Sequence, residues 1–267
     1  MKRKKIIIII IIILIAVIGS AYFVYAKGVF GPGFDILGWH LGNTLKDDKI
    51  VAKVNEEPVY LSEVALPYFS RNFPYLQAKE YIESMLQDPN TPESTKEELL
   101  KGKPLSPEEE LHRIIDMKLL SQELEKEGMT IPEEQLNKEL KELEDLHKYN
   151  LEHYPDSPWS KYYKELLSVL GASDEECIEK YYHFREFQKM IDLYNKFSKT
   201  ISAPEPTEEE IKEEMMKSNI RRETAIENCK SRYIHKIIDK KIEELKKSAN
   251  IEIIDIEAVH NLSKLFD

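Results

Sequence analysis

The stretch that decides the fold is Lys49–Val64, which reads KIVAKVNEEPVYLSEV. Its Ile50–Val54 part is rich in β-formers with alternating character, which predicts a short strand. Asn55–Pro58 has turn chemistry, because Asn tolerates a left-handed backbone and Pro cannot donate to a central ladder. Val59–Leu61 resumes an extended segment, and Ser62 is placed to cap a helix that runs onward. The stretch therefore predicts a β-hairpin leading into a helix.

A second convincing strand lies almost two hundred residues later, at Asn250–Ile256. A two-stranded hairpin alone is marginal in water, so the hairpin needs another strand or packed helices. We therefore predict that the two ends of the body pair with each other. The expected fold is mostly α-helical, closed by a small β-sheet that joins the N-terminal and C-terminal strands.

The composition excludes several classes of protein. The chain has 267 residues, of which 33% are charged and 42% hydrophobic, with only 9 Gly, which favours a helix-rich globular body over a disordered chain. The net charge is −11, and four of the basic residues lie at Lys2–Lys5. Because the remainder is still more acidic, it repels nucleic acid, and no nucleic-acid partner is expected.

The N-terminus predicts the compartment. Lys2–Lys5 precede an apolar run, Ile6–Ala26, of 21 residues, which as a helix would be about 31 Å long, enough to cross a bilayer. The positive charges favour a cytoplasmic N-terminus, so the body is expected outside the cytoplasm as part of a single-pass cell-membrane protein. Val24–Ala26 also offers the small residues that signal peptidase accepts, and cleavage after Ala26 would release a secreted protein.

The rest of the chain divides on composition. Residues 27–48 contain a Gly- and Pro-rich stretch and are predicted to be a linker, 49–257 the body, and 258–267 a C-terminal tail. Phe30, Phe34 and Trp39 in this linker either dip into the membrane interface or are ordinary exposed aromatics.

Helix starts are marked by explicit caps within the body. Ser or Thr followed within a few residues by Pro or Glu opens five predicted helices, which begin near Ser106, Thr130, Ser157, Ser173 and Thr207. Gly128 and Gly171 are natural stops. Two predictions concern long helices: the one from Ser62 should kink or break at Pro74, and the last one should run about 40 residues to Lys247 with a bend near Ser218.

No catalytic, metal or cofactor site is predicted. Cys177 and Cys229 fall on apolar helix positions, which favours buried free thiols and leaves a disulfide as the alternative. The histidines lack zinc-site spacing. The acidic runs coincide with helix N-termini, where carboxylates favour the macrodipole and face water.

Several segments carry a resemblance to a known family. Val51–Val59 followed by Ser62–Val64 resembles the opening of the SurA, PrsA and PpiD group of extracytoplasmic folding factors. Ile114–Leu120 with Glu125–Ile131, then Pro206–Ile211, and finally Ala249–Ile253 are similar to later segments of that family's N-terminal chaperone module. The resemblance covers about residues 50–256 and implies a SurA N-terminal-like helical fold.

The sequence departs from that family at one place. A parvulin isomerase domain needs on the order of ninety residues as one small domain, and none fits between Ile211 and the closing helix. The resemblance therefore implies an ATP-independent chaperone that holds unfolded or partly folded polypeptides, without prolyl isomerase activity. A degenerate isomerase is the enzyme alternative.

Aromatic residues outside the apolar helix stripes are the candidate client-binding groups, because amphipathic rings bind varied sequences. They are Tyr68, Tyr75, Tyr149, Tyr154, Trp159, Tyr163 and Tyr182. The alternative is that these rings simply pack the helices together. Acidic surroundings would favour basic clients. The expected partners are non-native polypeptides, the membrane and other folding factors. The rival function is an anchored scaffold that binds one folded partner.

Overall fold

A computed structural model describes residues 33–93, 95–96, 99, 106–218 and 220–266. At its centre, β1 (Ile50–Val54) lies between β2 (Glu57–Tyr60) and β3 (Ile251–Ile253) in an antiparallel sheet of order β2-β1-β3. The register places Ala52 opposite Ile253 and Val54 opposite Ile251. The predicted pairing of the two ends of the body is confirmed.

The hairpin turn has the backbone that its sequence predicts. Asn55 and Glu56 have positive φ angles of 49° and 72°, the requirement of a tight hairpin turn that matches strand twist. The Asn55 amide also joins three elements, since its Nδ2 donates to Gln122 Oε1 (2.8 Å) and its Oδ1 accepts from the backbone N–H of Asn250 (3.0 Å). The turn is therefore a junction of the fold as well as a connection.

Helices make up most of the remaining structure, as predicted. In chain order they are α1 (Gly33–Leu45), α2 (Leu61–Gln87), α3 (Pro107–Lys126), α4 (Glu133–His153), α5 (Pro158–Leu170), α6 (Asp174–Glu176, continued by a π-helical turn at Cys177–Tyr181), α7 (Phe184–Thr200), α8 (Glu208–Ser218), α9 (Arg222–Lys246), α10 (Ile256–His260) and a 3-10 turn at Ser263–Phe266.

Local capping explains where several helices begin. Ser106 accepts from the Glu109 N–H while the Glu109 carboxylate accepts from the Ser106 N–H, a reciprocal capping box. Ser157 and Ser173 cap α5 and α6 as predicted. Ser62 does not cap α2, because the helix already begins at Leu61 and the Tyr60 N–H donates to Glu63.

The core consists of two clusters that share α3. The larger one packs the sheet against α1, α2, α5 and the first part of α3, around Val51, Phe69 and Ile114. The smaller one joins the end of α3 to α7 and α9 through Leu124 and Leu193. Because α3 contributes to both, it connects the sheet end of the molecule to the long C-terminal helices.

The prediction that residues 27–48 form a linker is wrong for Gly33–Leu45, which is helical. α1 is a helix packed along α5, and its Leu41 and Leu45 are fully buried. Gly38 makes this close approach possible, since a Cβ there would lie 2.2 Å from the Tyr162 carbonyl oxygen. Gly38 and Gly42, which lie within the predicted linker, therefore serve helix packing.

The predicted tail 258–267 is also wrong. Val259 and Leu262 are fully buried in the larger cluster, and α10 packs on α2 and α3. Their apolar side chains follow directly from β3, so the chain end is drawn into the core by hydrophobic burial.

Three predictions about helix continuity need correction. α2 runs through Pro74 to Gln87, so a break there is wrong, while a kink at Pro74 stays a prediction. The helix predicted from Ser173 is instead interrupted at His183, whose φ is +45°. The last predicted helix is two helices, α8 and α9, which pack against each other and are joined by residues 219–221. No segment of parvulin size lies between α8 and α9.

The predicted membrane segment, Ile6–Ala26, lies outside the described residues. Within the ranges that the structure does describe, no helix has both the length and the apolar character that crossing a bilayer requires.

Candidate functional site

An aromatic cavity lies where α2, α5 and the end of the π-helical turn meet. Its volume is about 80 Å³, and it is lined by Leu66, Phe69, Ser70, Trp159, Tyr162 and Tyr182. Trp159 and Tyr182 are half-buried, so part of each residue remains accessible. The volume is several times what one water needs, which gives room for a small apolar side chain.

The ring of Trp159 is held in place by two aromatic neighbours, Tyr163 and His147. Its ring stacks on Tyr163, with centroids 4.8 Å apart and planes 17° from parallel, and His147 lies 4.9 Å away. The start of α5 is fixed by Ser157, whose hydroxyl oxygen accepts from the Ser160 N–H. The tryptophan is therefore a pre-positioned ring, which lowers the entropy cost of ordering it on binding.

A buried polar group supports this aromatic stack. The Tyr163 hydroxyl donates to Asp174 Oδ1 at 2.5 Å, and His147 Nδ1 lies 3.0 Å from the same oxygen. Burial raises the pKa of Tyr163 well above its ordinary value, so the phenol stays protonated as the donor. The network ties α4, α5 and α6 together behind the cavity wall.

The π-helical turn positions Tyr182. Its backbone N–H donates to the Cys177 carbonyl at 3.1 Å, the i→i−5 bond of a π-turn, a feature often found at functional sites. The Tyr182 hydroxyl bonds to Tyr162, and burial raises the pKa of both phenols. The cavity wall is therefore uncharged and aromatic.

The structure separates the predicted client-binding residues into three groups. Trp159 and Tyr182 line the cavity. Tyr68 and Tyr163 are buried, so neither offers an exposed ring to a client in this structure. The side chain of Tyr75 lies outside what the structure describes.

The third group is an exposed pair on the end of α4. Tyr149 and Tyr154 are 48% and 50% exposed, and their rings lie 6.0 Å apart. The exposed Leu146 lies one turn before Tyr149 on the same helix, so these side chains form a second apolar surface, which we call the α4 patch (Leu146, Tyr149 and Tyr154).

Sequence reasoning missed four residues that line the cavity. Leu66 and Phe69 lie on the apolar face of α2, and Tyr162 lies on that of α5, so their periodicity indicated core positions. Ser70 gave no signal. Only the tertiary structure shows that these residues line a cavity together with Trp159 and Tyr182.

The fold also brings together a Ser, a His and an Asp that the sequence keeps far apart. Ser62 Oγ donates to Asp48 Oδ2 (2.5 Å) and lies 2.9 Å from His183 Nε2. In a catalytic triad the Asp would hold the other ring nitrogen and the Ser would be accessible. Here Asp48 accepts the hydrogen bond from the Ser62 hydroxyl, and Ser62 is fully buried, so this set joins the start of α2 to the segment before β1 and to the residue that precedes α7.

The cysteines are not bridged. Cys177 and Cys229 are both free and buried, and burial raises the pKa of the Cys177 thiol to about 12. Among the described residues, no group of three or more His, Cys, Asp or Glu side chains is arranged to hold a metal ion.

Comparison with known families finds one similarity. A family model described as SurA-like N-terminal domain matches residues 1–176. The match includes the N-terminal apolar run, the hairpin, α5 and the beginning of α6, and so most of the cavity wall. Comparison with curated proteins gives no match, and comparison with solved structures gives none either.

Proposed function

We propose that this chain, which belongs to the SurA-like N-terminal domain family, is an ATP-independent holdase for non-native secreted or membrane polypeptides. The family gives it a chaperone-type role built on a non-catalytic domain that binds polypeptide clients in general. The finer proposal is that it delays client aggregation by itself, carries no prolyl isomerase activity, and passes clients to other folding factors.

The observation that carries this proposal is the open aromatic cavity. Trp159 and Tyr182 are fixed by stacking and by the π-turn, yet their edges remain accessible. Aromatic edges of this kind accept many apolar side chains without one fixed geometry. Each contact is weak, and we expect micromolar affinities, around −8 kcal/mol in total.

We further propose that residues 1–26 anchor the protein in the cell membrane by a single span, with the body on the extracytoplasmic side. The support is sequence alone: Lys2–Lys5 followed by the apolar run Ile6–Ala26. If the run is cleaved after Ala26, the same body is secreted.

Light scattering tests the holdase proposal. Reduced α-lactalbumin and chemically denatured citrate synthase are two unrelated clients whose aggregation is easily followed. The protein without residues 1–26, at several-fold molar excess, should slow the aggregation of both. If it delays neither client, the holdase proposal fails.

The rival function is a scaffold for one folded partner, and the α4 patch is the observation that favours it. Leu146, Tyr149 and Tyr154 are exposed together on one helix end, and such patches often mark protein interfaces. A scaffold should bind one native protein and neither unfolded client. Loss of binding in Tyr149→Ala/Tyr154→Ala but not in Trp159→Ala would place the active surface on α4.

The isomerase alternative is tested separately with a proline-containing peptide. Residues 219–221 alone connect α8 to α9, which supports our proposal that no isomerase domain is inserted there. A rate of peptide cis–trans exchange above the uncatalysed value would contradict it.

A further inference from the structure

One exposed tryptophan has no role in the aromatic cavity. Trp39 lies on α1 and is 49% exposed, whereas Leu37, Leu41 and Leu45 on the opposite side of the helix are buried. The described exposed side chains of α1 are Trp39, His40 and Asn43.

The position of this face along the chain limits where it can lie. Only residues 27–32 separate the apolar run from the first residue of α1. Seven peptide steps from Ala26 to Gly33 span at most about 25 Å when fully extended. If the run lies in a membrane, α1 is therefore held next to the lipid headgroups.

From these observations we infer that the exposed face of α1, with Trp39 at its centre, docks on the membrane surface. This inference rests on the membrane anchor of the proposed function. Tryptophan is enriched at the boundary between headgroups and acyl chains, because its ring is apolar and its N–H can be hydrated.

Docking of α1 would also orient the aromatic cavity. α1 packs on α5 so closely that a Cβ at Gly38 would overlap the Tyr162 carbonyl oxygen, and one at Gly42 would lie 2.8 Å from Val169. Since α5 carries Trp159 and Tyr162, a membrane-bound α1 holds the cavity at a fixed distance from the lipid. Clients would then be captured at the membrane surface as they emerge.

Tryptophan fluorescence tests this docking directly, because the chain has only 2 Trp. The full chain is reconstituted in phosphatidylcholine vesicles whose acyl chains carry bromine near the headgroup, a short-range quencher. Trp159→Phe leaves Trp39 as the only tryptophan, and Trp39→Phe leaves Trp159 as the matched control. Far-UV circular dichroism checks the fold of both, and the difference between wild type and Trp39→Phe gives the Trp39 signal without altering the cavity.

We expect the Trp39 emission to shift to shorter wavelength and to be quenched at least twofold by brominated lipid, with little quenching of Trp159. If the protein floats with the vesicles but Trp39 is not quenched, the docking inference fails while the anchor stands. If the protein does not float with the vesicles, the anchor and the docking fail together. Neither result alters the aggregation assay, which uses the protein without residues 1–26.

Discussion

The backbone N–H of Asn55 donates to the carbonyl of Asn250 at 2.8 Å, across 195 positions of sequence. The Asn55 side chain accepts from the Asn250 N–H in return. This pair of bonds joins the hairpin turn to Asn250, the residue directly before β3. The body is therefore closed at a residue whose left-handed backbone was itself predicted by the turn sequence.

Replacing Asn55 should weaken this closure. Asn55→Ala removes the two side-chain hydrogen bonds, to Gln122 and to the Asn250 N–H. It also places Ala, which disfavours a positive φ, at a position whose φ is 49°. We expect the free energy of unfolding in urea to fall by about 2–3 kcal/mol. Asn55→Gly loses the same side chain but accepts the backbone angle, so it should lose less. Equal losses in both variants would show that the backbone angle contributes nothing.

Gly38 should not tolerate a side chain. In an exposed helix position Gly→Ala stabilises by roughly 0.5–1 kcal/mol, but here the added Cβ meets the Tyr162 carbonyl at 2.2 Å. We expect Gly38→Ala to destabilise by about 1–3 kcal/mol, measured by urea unfolding. Asn43→Ala, on the exposed side of α1, is the control and should change stability by no more than about 0.5 kcal/mol. A stabilised Gly38→Ala would mean that α1 does not pack on α5.

Trp159 should matter for client binding more than Tyr149 does. Truncating an aromatic anchor commonly costs more than about 1 kcal/mol of binding free energy, so Trp159→Ala should weaken the binding of a fluorescently labelled unfolded client about tenfold. Trp159→Phe keeps a ring stacked on Tyr163 and should give an intermediate value. Circular dichroism must show all variants folded. A larger loss in Tyr149→Ala than in Trp159→Ala would move the site to the α4 patch.

The hydrogen bond from Tyr233 to Glu210 should make the thermal stability of the protein depend on pH in the acidic range. The Tyr233 hydroxyl bond and the two bonds from Thr207 lower the pKa of Glu210 to about 2. The pKa of Glu210 is lower in the folded than in the unfolded protein, so the bonds stabilise the fold fully above the ordinary Glu pKa of about 4.3. This stabilisation is lost as the pH falls towards the pKa of the folded state. Tyr233→Phe removes the largest contribution. The Tm difference between wild type and variant should therefore be constant near neutrality and shrink below about pH 4.3; an unchanged difference would contradict this.

Cys177 should be inert in the native protein. The thiolate is the nucleophile, and burial raises the pKa of this thiol to about 12. Iodoacetamide at pH 8 should label Cys177 only after urea is added, as mass spectrometry of the peptides will report. Rapid labelling in the native state would mean that the π-helical turn opens readily.

Local chemistry explains which parts of the fold were predictable. The caps at Ser106, Ser157 and Ser173 depend on hydrogen bonds within a few residues, and the turn at Asn55 depends on the left-handed backbone that Asn tolerates, so the sequence predicts them directly. The strand pairing was predictable because only one distant segment could complete the hairpin. α1 was missed because the Gly- and Pro-rich stretch near its start indicates a flexible linker, and the close contact of Gly38 with α5 is known only once the partner helix is placed.

The candidate site was only partly predictable for a related reason. Trp159 and Tyr182 were selected as aromatics outside the helix stripes, and they do line one cavity. Tyr163 was selected on the same grounds, yet it is 0% exposed because Asp174 and Trp159 enclose it. Periodicity shows which residues avoid water, but it does not show where two apolar faces fail to close on each other.

By itself, the sequence determined the helical character, the hairpin, the caps and the closing strand, because each follows from interactions between neighbours or from a unique pairing. Only the tertiary structure decided that Ser62 meets Asp48 and His183 and that α1 packs on α5. It also decided that residues of α2 and α5 line one aromatic cavity. These contacts join residues far apart in the chain, and their geometry depends on how whole helices pack, which no local pattern encodes.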